Sequence, residues 1–497
     1  MTTTAAETTT RSAMSSRDRS VIITLLVATF VVILNETIMG VALPRLMVDL
    51  SVSARTGQWL STAFMLTMAI VIPTTGFLLQ RLTTRTVFVL AMALFSVGTL
   101  LAAVSPAFWL LLPARIVQAS GTAIMLPLLM TTILTLVPVE RRGVVMGNVS
   151  IAISVAPAIG PTVSGVILHF FSWRFMFIAV LPIAVAALIY GSRRLVNVGE
   201  QGHQRLDLIS VILTVPAFGG IVYGLSQLGG EGGSSALAPV FIAVGAVCLV
   251  AFGWRQTRLS RSAKQESREE RGPLLDLGAF RFPMFSLSVA LLCIAMMGLF
   301  GVVILLPIYL QSVHGISALE TGLMLLPGGL LMGLLGPSVG KLFDRYGPKG
   351  LTIFGSVLLT VVMWRFSTVE PTTPVWLLVT MHVTLSLALA CLFTPAFTTA
   401  LNPLPPRLYS HGSAILTTLQ QVAGAAGTAL LVAIMASRTA TLVGGGMDPV
   451  LAQNSGIGTA FLVGAALSAG SVICAFFMHN PKPEDRSEPA NPVSHHA

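Results

Sequence analysis

The chain has 497 residues, 54% hydrophobic and 10% charged, with a net charge of +10. A soluble domain is about 25% charged, so this one carries too few charges to coat a water-facing surface of its size. Its four cysteines (Cys248, Cys293, Cys391 and Cys474) all lie in apolar runs. Their spacing fits neither a loop disulfide nor a metal site, so they read as packing residues.

In chain order, the polar N-terminal stretch 1–20 carries Arg11, Arg17 and Arg19 and lacks a small-residue cleavage site, so no signal peptide is read there. Apolar runs of about 18–25 residues follow, long enough to cross roughly 30 Å of hydrocarbon at 1.5 Å per residue. Six expected spans at 21–43, 58–79, 86–104, 108–137, 144–168 and 175–190 make an N-terminal bundle, residues 21–190. Two more at 208–225 and 237–254 form an insert, residues 191–254. The charged stretch 255–283 reads as a solvated linker. Spans at 284–310, 321–342, 351–366, 375–400, 413–436 and 458–478 make a C-terminal bundle, residues 284–478, before a polar tail at 479–497. The expected fold is therefore an all-α membrane protein of fourteen transmembrane helices.

Lysine and arginine set the orientation. With both termini cytoplasmic, five of the 29 fall outside (Arg45, Arg55, Arg174, Arg365, Arg438) and Arg115 falls within a span, which leaves 23 inside. The net charge is then a topology signal and implies no nucleic-acid partner. Trp59, Trp109, Trp173, Trp364 and Trp376 are expected at outer span ends and Trp254 at an inner end, as an aromatic belt.

An internal repeat follows from two loop segments. Residues 73–85, with Pro73, Gly76, Leu78, Arg81 and Arg85, recur at 337–349 as Pro337, Gly340, Leu342, Arg345 and Lys349 at the same spacing. Both copies leave the second span of a half for a short cytoplasmic loop. Like-oriented halves imply a pseudo-two-fold axis along the membrane normal and a midplane site between halves that rock, the build of a secondary transporter.

These motifs resemble the major facilitator superfamily. The similarity is greatest to the fourteen-span drug:proton antiporters of the EmrB/QacA type and, within them, to the LmrB-like lincomycin-resistance group. The loop motif is complete at Gly340, Leu342, Asp344, Arg345, Gly347 and Lys349, whereas the front copy has Gln80 for the Asp and Thr83 for the second Gly. The fourth-span motif appears at Arg115, Gln118 and Gly121, with Ala119 for a Gly. The fifth-span antiporter motif appears at Gly160, Pro161 and Gly165, preceded by Pro157. In the first span the family's Asp position holds Asn35, and the acid Glu36 follows it. The resemblance implies two six-helix bundles with two inserted helices, and the fifth-span motif implies export.

Glu36 is the one acid well inside a span and Arg115 the one base there. Each costs about 2.5–3.5 kcal/mol at the bilayer centre on insertion scales. Both lie about 10–12 Å below the outer surface at 1.5 Å per residue, where they are expected to face one another directly or through water. A carboxyl in an apolar cavity favours its protonated form, and a cation entering beside it favours the charged form and expels the proton. Glu36, Arg115, Asn35 and Gln118 are therefore the candidate coupling residues. A static pair holding spans one and four together is the other reading of Glu36 and Arg115. His382, Gln420 and Gln421 are in-span polar residues that either face the cavity or bond across helices.

The expected function is proton-coupled efflux of lipophilic compounds, cationic ones among the candidates, through the plasma membrane by a monomer. It needs no cofactor or metal beyond a proton gradient. An exporter of an endogenous metabolite or self-made antibiotic fits the same residues, and a non-transporting sensor is the alternative from another class. No complete Gly-x-x-x-x-Gly-Lys-Ser/Thr or His-Glu-x-x-His is present, which excludes the nucleotide-driven pump and the zinc-protease readings.

Overall fold

The computed structural model describes residues 15–52, 54–138, 141–195, 197, 207–228, 237–265 and 273–479, and they are helical with no strands. The helices are α1 (Ser16–Asp49), α2 (Ala54–Arg81), α3 (Thr84–Ala103), α4 (Phe108–Leu136), α5 (Arg142–Phe170) and α6 (Arg174–Arg194). The insert comprises α7 (Leu208–Thr214) and α8 (Gly220–Leu228), joined by the wide turn Val215–Gly219, and then α9 (Ala238–Gln265). The last six are α10 (Pro283–Ile308), α11 (Ala318–Tyr346), α12 (Pro348–Ser367), α13 (Val375–Leu401), α14 (Tyr409–Gly444) and α15 (Pro449–Phe477).

With α7 and α8 counted as one pass, thirteen described passes are long and apolar enough to cross a membrane. The remaining long helix, α5, packs among them, chiefly on α11 and α1. The chain is thus a multi-pass membrane protein. Polar caps set several helix starts: Thr83 accepts from the Thr86 N–H at 3.1 Å. Ser317 and Glu320 form a reciprocal capping box at α11. Asp448 accepts from the N–H groups of Val450 and Leu451 at α15.

Helices α1 to α6 pack on one another, as do α10 to α15. The two groups meet along two seams, α5 with α11 and α2 with α14. The turns 82–83 and Gly347 lie at one end of the bundle, called here the motif end. Helix α8 packs on α14, α2 and α9. Helix α9 turns Val244, Val247 and Val250 outward, as a lipid-facing helix does.

The α5–α11 seam is the most extensive helix pair among the described residues. Glycine makes it possible at two places where the helix backbones approach each other. A Cβ on Gly147 would collide with the Gly336 carbonyl, and one on Gly340 with the Gly143 carbonyl. Such small-residue approaches substitute dispersion for a hydrophobic effect that lipid does not supply.

Three expectations need correction. Residues 255–265 continue α9 rather than opening a solvated linker, because Arg255 pairs with Asp207 at 2.7 Å and Gln256 is fully buried. Further along, Leu274 and Leu275 are also buried. Trp173 is fully buried and packs edge-on to Phe177, so it is no headgroup anchor. Helix α14 runs to Gly444, past the expected end at 436, and the chain turns at Gly446 with φ +85°. The expected tails fall largely on residues outside those described.

Replacing Gly147 with Leu should force α5 off α11. Overpacking of this kind costs about 1–3 kcal/mol or more, so the variant should melt lower in detergent and transport poorly. Gly350→Ala is the control, since a Cβ there meets nothing within 4 Å.

Candidate substrate and coupling site

Arg115 is 1% exposed, so its charge must be met by protein. Its Nη1 donates to Asn35 Oδ1 of α1 at 3.3 Å and to Gln118 Oε1 one turn along α4. The guanidinium lies 4.1 Å from the centroid of the Phe64 ring of α2, a cation–π contact. Gln118 Nε2 in turn donates to Thr99 Oγ1 of α3 at 2.7 Å, and that hydroxyl donates to the Phe95 carbonyl at 2.6 Å. One arginine thereby ties together α1, α2, α3 and α4.

Glu36 does not join this network. Among the described residues no ion pair links it to Arg115, whose Nη1 donates to Asn35 and Gln118 instead. Successive helical residues point about 100° apart. Asn35 faces α4, and Glu36 turns into a narrow cleft. Its other walls are Met65 of α2, Val222 of α8, Phe300 of α10, and Gln421 and Ala425 of α14. The displacement of the acid by one residue moves it from the arginine side to the space between the halves.

Gln421 thus shares the cleft with Glu36, and its Nε2 also lies 3.6 Å from Met68 Sδ. Gln420 is buried in α14. His382 is not a cleft residue: its Nε2 donates to the Leu325 carbonyl at 3.2 Å and so joins α13 to α11, in space that Gly328 leaves open.

The fifth-span motif lies between the halves. A Cβ on Gly160 would strike Thr37 Oγ1 of α1. That hydroxyl also approaches the Ala156 carbonyl at 3.4 Å. Gly165 faces Leu319 of α11. Pro157 is half-buried in the same helix, and Pro161 lies in it with a side chain outside the described set.

At the motif end the two loop copies do similar work with different chemistry. Asp344 accepts the N–H groups of Gly143 and Val144 at 3.1 Å each. It therefore caps α5, in the other half, where free donors and the helix dipole favour an anion. In the front copy Gln80 Nε2 reaches Ser410 Oγ at 3.1 Å and the His411 ring at 2.6 Å, at the start of α14. A Cβ on Gly76 would press on His411 and touch the Leu274 carbonyl. Arg81 lies over Phe77, Arg345 lies over Tyr346, and the Arg85 N–H donates to Asn197. Lys349 is exposed, and Gly347 supplies the φ of +79° at the α11–α12 turn.

Sequence reasoning missed Arg142, which is 4% exposed. It donates to the Leu134 and Val137 carbonyls at the end of α4. It also reaches Asn402 Oδ1 and Tyr409 Oη at 3.2 Å each, both in the other half. In the sequence it is one more arginine in a basic loop. Met65, Val222 and Phe300 carried no signal either, being apolar residues in apolar runs.

The sequence profile of the Major Facilitator Superfamily matches residues 25–202 and 206–428. The chain belongs to the major facilitator superfamily. It is 40% identical to the lincomycin resistance protein LmrB of Bacillus subtilis (strain 168), over 96% of this chain and 99% of the relative. To the uncharacterized MFS-type transporter YcnB of the same organism it is 39% identical, over 95% and 98%. The human organic anion transporter MFSD10 superposes with a TM-score of 0.65 at 14% identity, over 92% of this chain and 99% of that one. The proton:xylose symporter XylE gives 0.61 at 16% identity, over 93% and 97%. These two likenesses are of fold. The chain is accordingly a transporter and not an enzyme.

Arg115→Lys retains the charge but not the planar fork that meets Asn35 and Gln118 while stacking on Phe64. Charged buried hydrogen bonds are worth about 1.5–3 kcal/mol. The variant should melt lower in detergent and transport at least about tenfold less, measured in vesicles at matched protein levels.

Proposed function

We propose that the chain is a proton-coupled exporter of lipophilic compounds, cationic ones included, and that Glu36 carries the coupling. The observation behind this reading is the placement of Glu36. It is a carboxyl turned away from its nearest arginine and into a cleft bounded by both halves and the insert. A proton and a substrate cation compete for one such group, and each conformation of the halves opens that group to one side. Arg115, Asn35 and Gln118 hold α1 so that Glu36 keeps its direction.

On this reading Pro157, Gly160, Pro161 and Gly165 let α5 move between α1 and α11, and the paired loop motifs close the motif end. The lysine and arginine bias supports a cytoplasmic position for that end and both termini; on the same reading the chain works as a monomer in the plasma membrane. The resistance named for its Bacillus relative supports a drug as cargo and puts lincomycin in any test panel.

Everted vesicles with an acidic lumen test the reading. Wild-type chain should concentrate lipophilic cations when the pH gradient is applied, and Glu36→Gln should lower that stimulation by at least about tenfold, as loss of a proton carrier requires. Full gradient-driven transport by Glu36→Gln would reject Glu36 as the coupling group. An anion-only profile would reject cationic cargo.

A further inference from the structure

The insert does not merely separate the two bundles: its helix α8 enters the far half of the α2–α14 seam. Val222, 3% exposed, shares the cleft with Glu36, Phe300 and Gln421. The next residue anchors it. The Tyr223 ring stacks on Trp59 of α2 with centroids 5.5 Å apart, and meets Phe241 of α9 edge-on at 4.8 Å.

Close glycine contacts fix α8 on both sides. Gly219, the last residue of the wide turn before α8, faces Leu66 and Ile70 of α2, while Gly224 lies against Ile242 and the Ala238 carbonyl of α9. Gly220 and Gly245 bring the α8 and α9 backbones together. The wall therefore cannot yield outward without displacing α9 as well. The face it turns to the cleft carries a β-branched side chain with few rotamers.

We propose that Val222 is a specificity-determining residue. The inserted helix forms a third wall of the binding cleft and, with Phe300 of α10, limits the bulk of the apolar group that can lie beside Glu36. The inference rests on the reading of that cleft as the substrate site. It extends that reading by assigning the size limit to a helix outside the two repeated bundles. The cleft is too narrow in this conformation to hold a ligand; the favoured ligands are compounds with one polar or cationic centre for Glu36 and Gln421 and a compact apolar body that enters between Val222 and Phe300 as the halves part.

The test measures transport in vesicles of tetraalkylammonium and tetraarylphosphonium ions of rising size, with lincomycin and a neutral lipophilic dye alongside. Val222→Trp should reduce the bulkiest compounds at least about tenfold more than the smallest, and Val222→Ala should shift the balance the other way, the scale of discrimination that one or two carbons provide in a pocket. Val247→Trp, on the exposed side of α9, should leave the profile unchanged.

An equal factor across all sizes for Val222→Trp would overturn the proposal. The size profile uses whichever compounds move, whatever their charge, so it is independent of the Glu36→Gln result. A second arm needs no transport. In a chain with its four cysteines replaced by Ser, Val222→Cys and Phe300→Cys should be joined by a short bifunctional thiol reagent. Absence of that cross-link in folded protein would remove the wall and the proposal with it.

Discussion

A bilayer core offers no hydrogen-bond partner, and the interior of this protein is organised around that constraint. Most hydroxyls meet it locally, as Thr24, Thr132 and Thr398 do by bonding carbonyls one turn back. Arginine cannot, because five donors and a charge exceed what one helix supplies. Arg115 therefore gathers α1, α2, α3 and α4 about itself, and Arg142 reaches across the boundary between halves. Glu36 meets the constraint differently, lying in a cleft bounded by both halves and the insert.

The two seams between halves differ in character. Along α5–α11 backbone meets backbone through glycine, and Asp344 closes the motif end as a charged cap. Along α2–α14 a neutral amide, Gln80, meets a histidine and a serine at the motif end, and α8 occupies the opposite half. The insert is itself tied to the segment that follows it. Arg255 holds the Asp207 carboxyl below the usual carboxylate range. Gln256 donates to Ser210 and accepts the Leu275 N–H, and Ser260 donates to Asp276. Leu274 and Leu275 then lie buried beside Gly76 and His411. The repeat is thus symmetric in helix order and asymmetric in how its edges are joined.

The spans were legible because length and apolarity together admit few alternatives, and the loop repeat was legible because its spacing is rigid. The direction of Glu36 was only half legible. Its displacement by one position could be read, but what a 100° turn would bring it to depends on α8, α10 and α14. Residues 255–265 were misread because charges on a solvated linker and charges paired on a helix have the same composition. Trp173 failed for a related reason, since nothing near it in the sequence separates a ring facing headgroups from one facing Phe177. Arg142 and Val222 needed the tertiary structure, as their significance lies in what meets them from other elements.

The position of α8 has a mechanical consequence. In a chain without the insert, the far half of the α2–α14 crevice would be filled by lipid acyl chains. A fluid filling rearranges chain by chain, so a gap widening by an ångström is closed at little cost. A helix packed through Tyr223 on Trp59 and through Gly220 on Gly245 moves as one body or not at all. The insert thus gives that edge a solid wall in place of a fluid one.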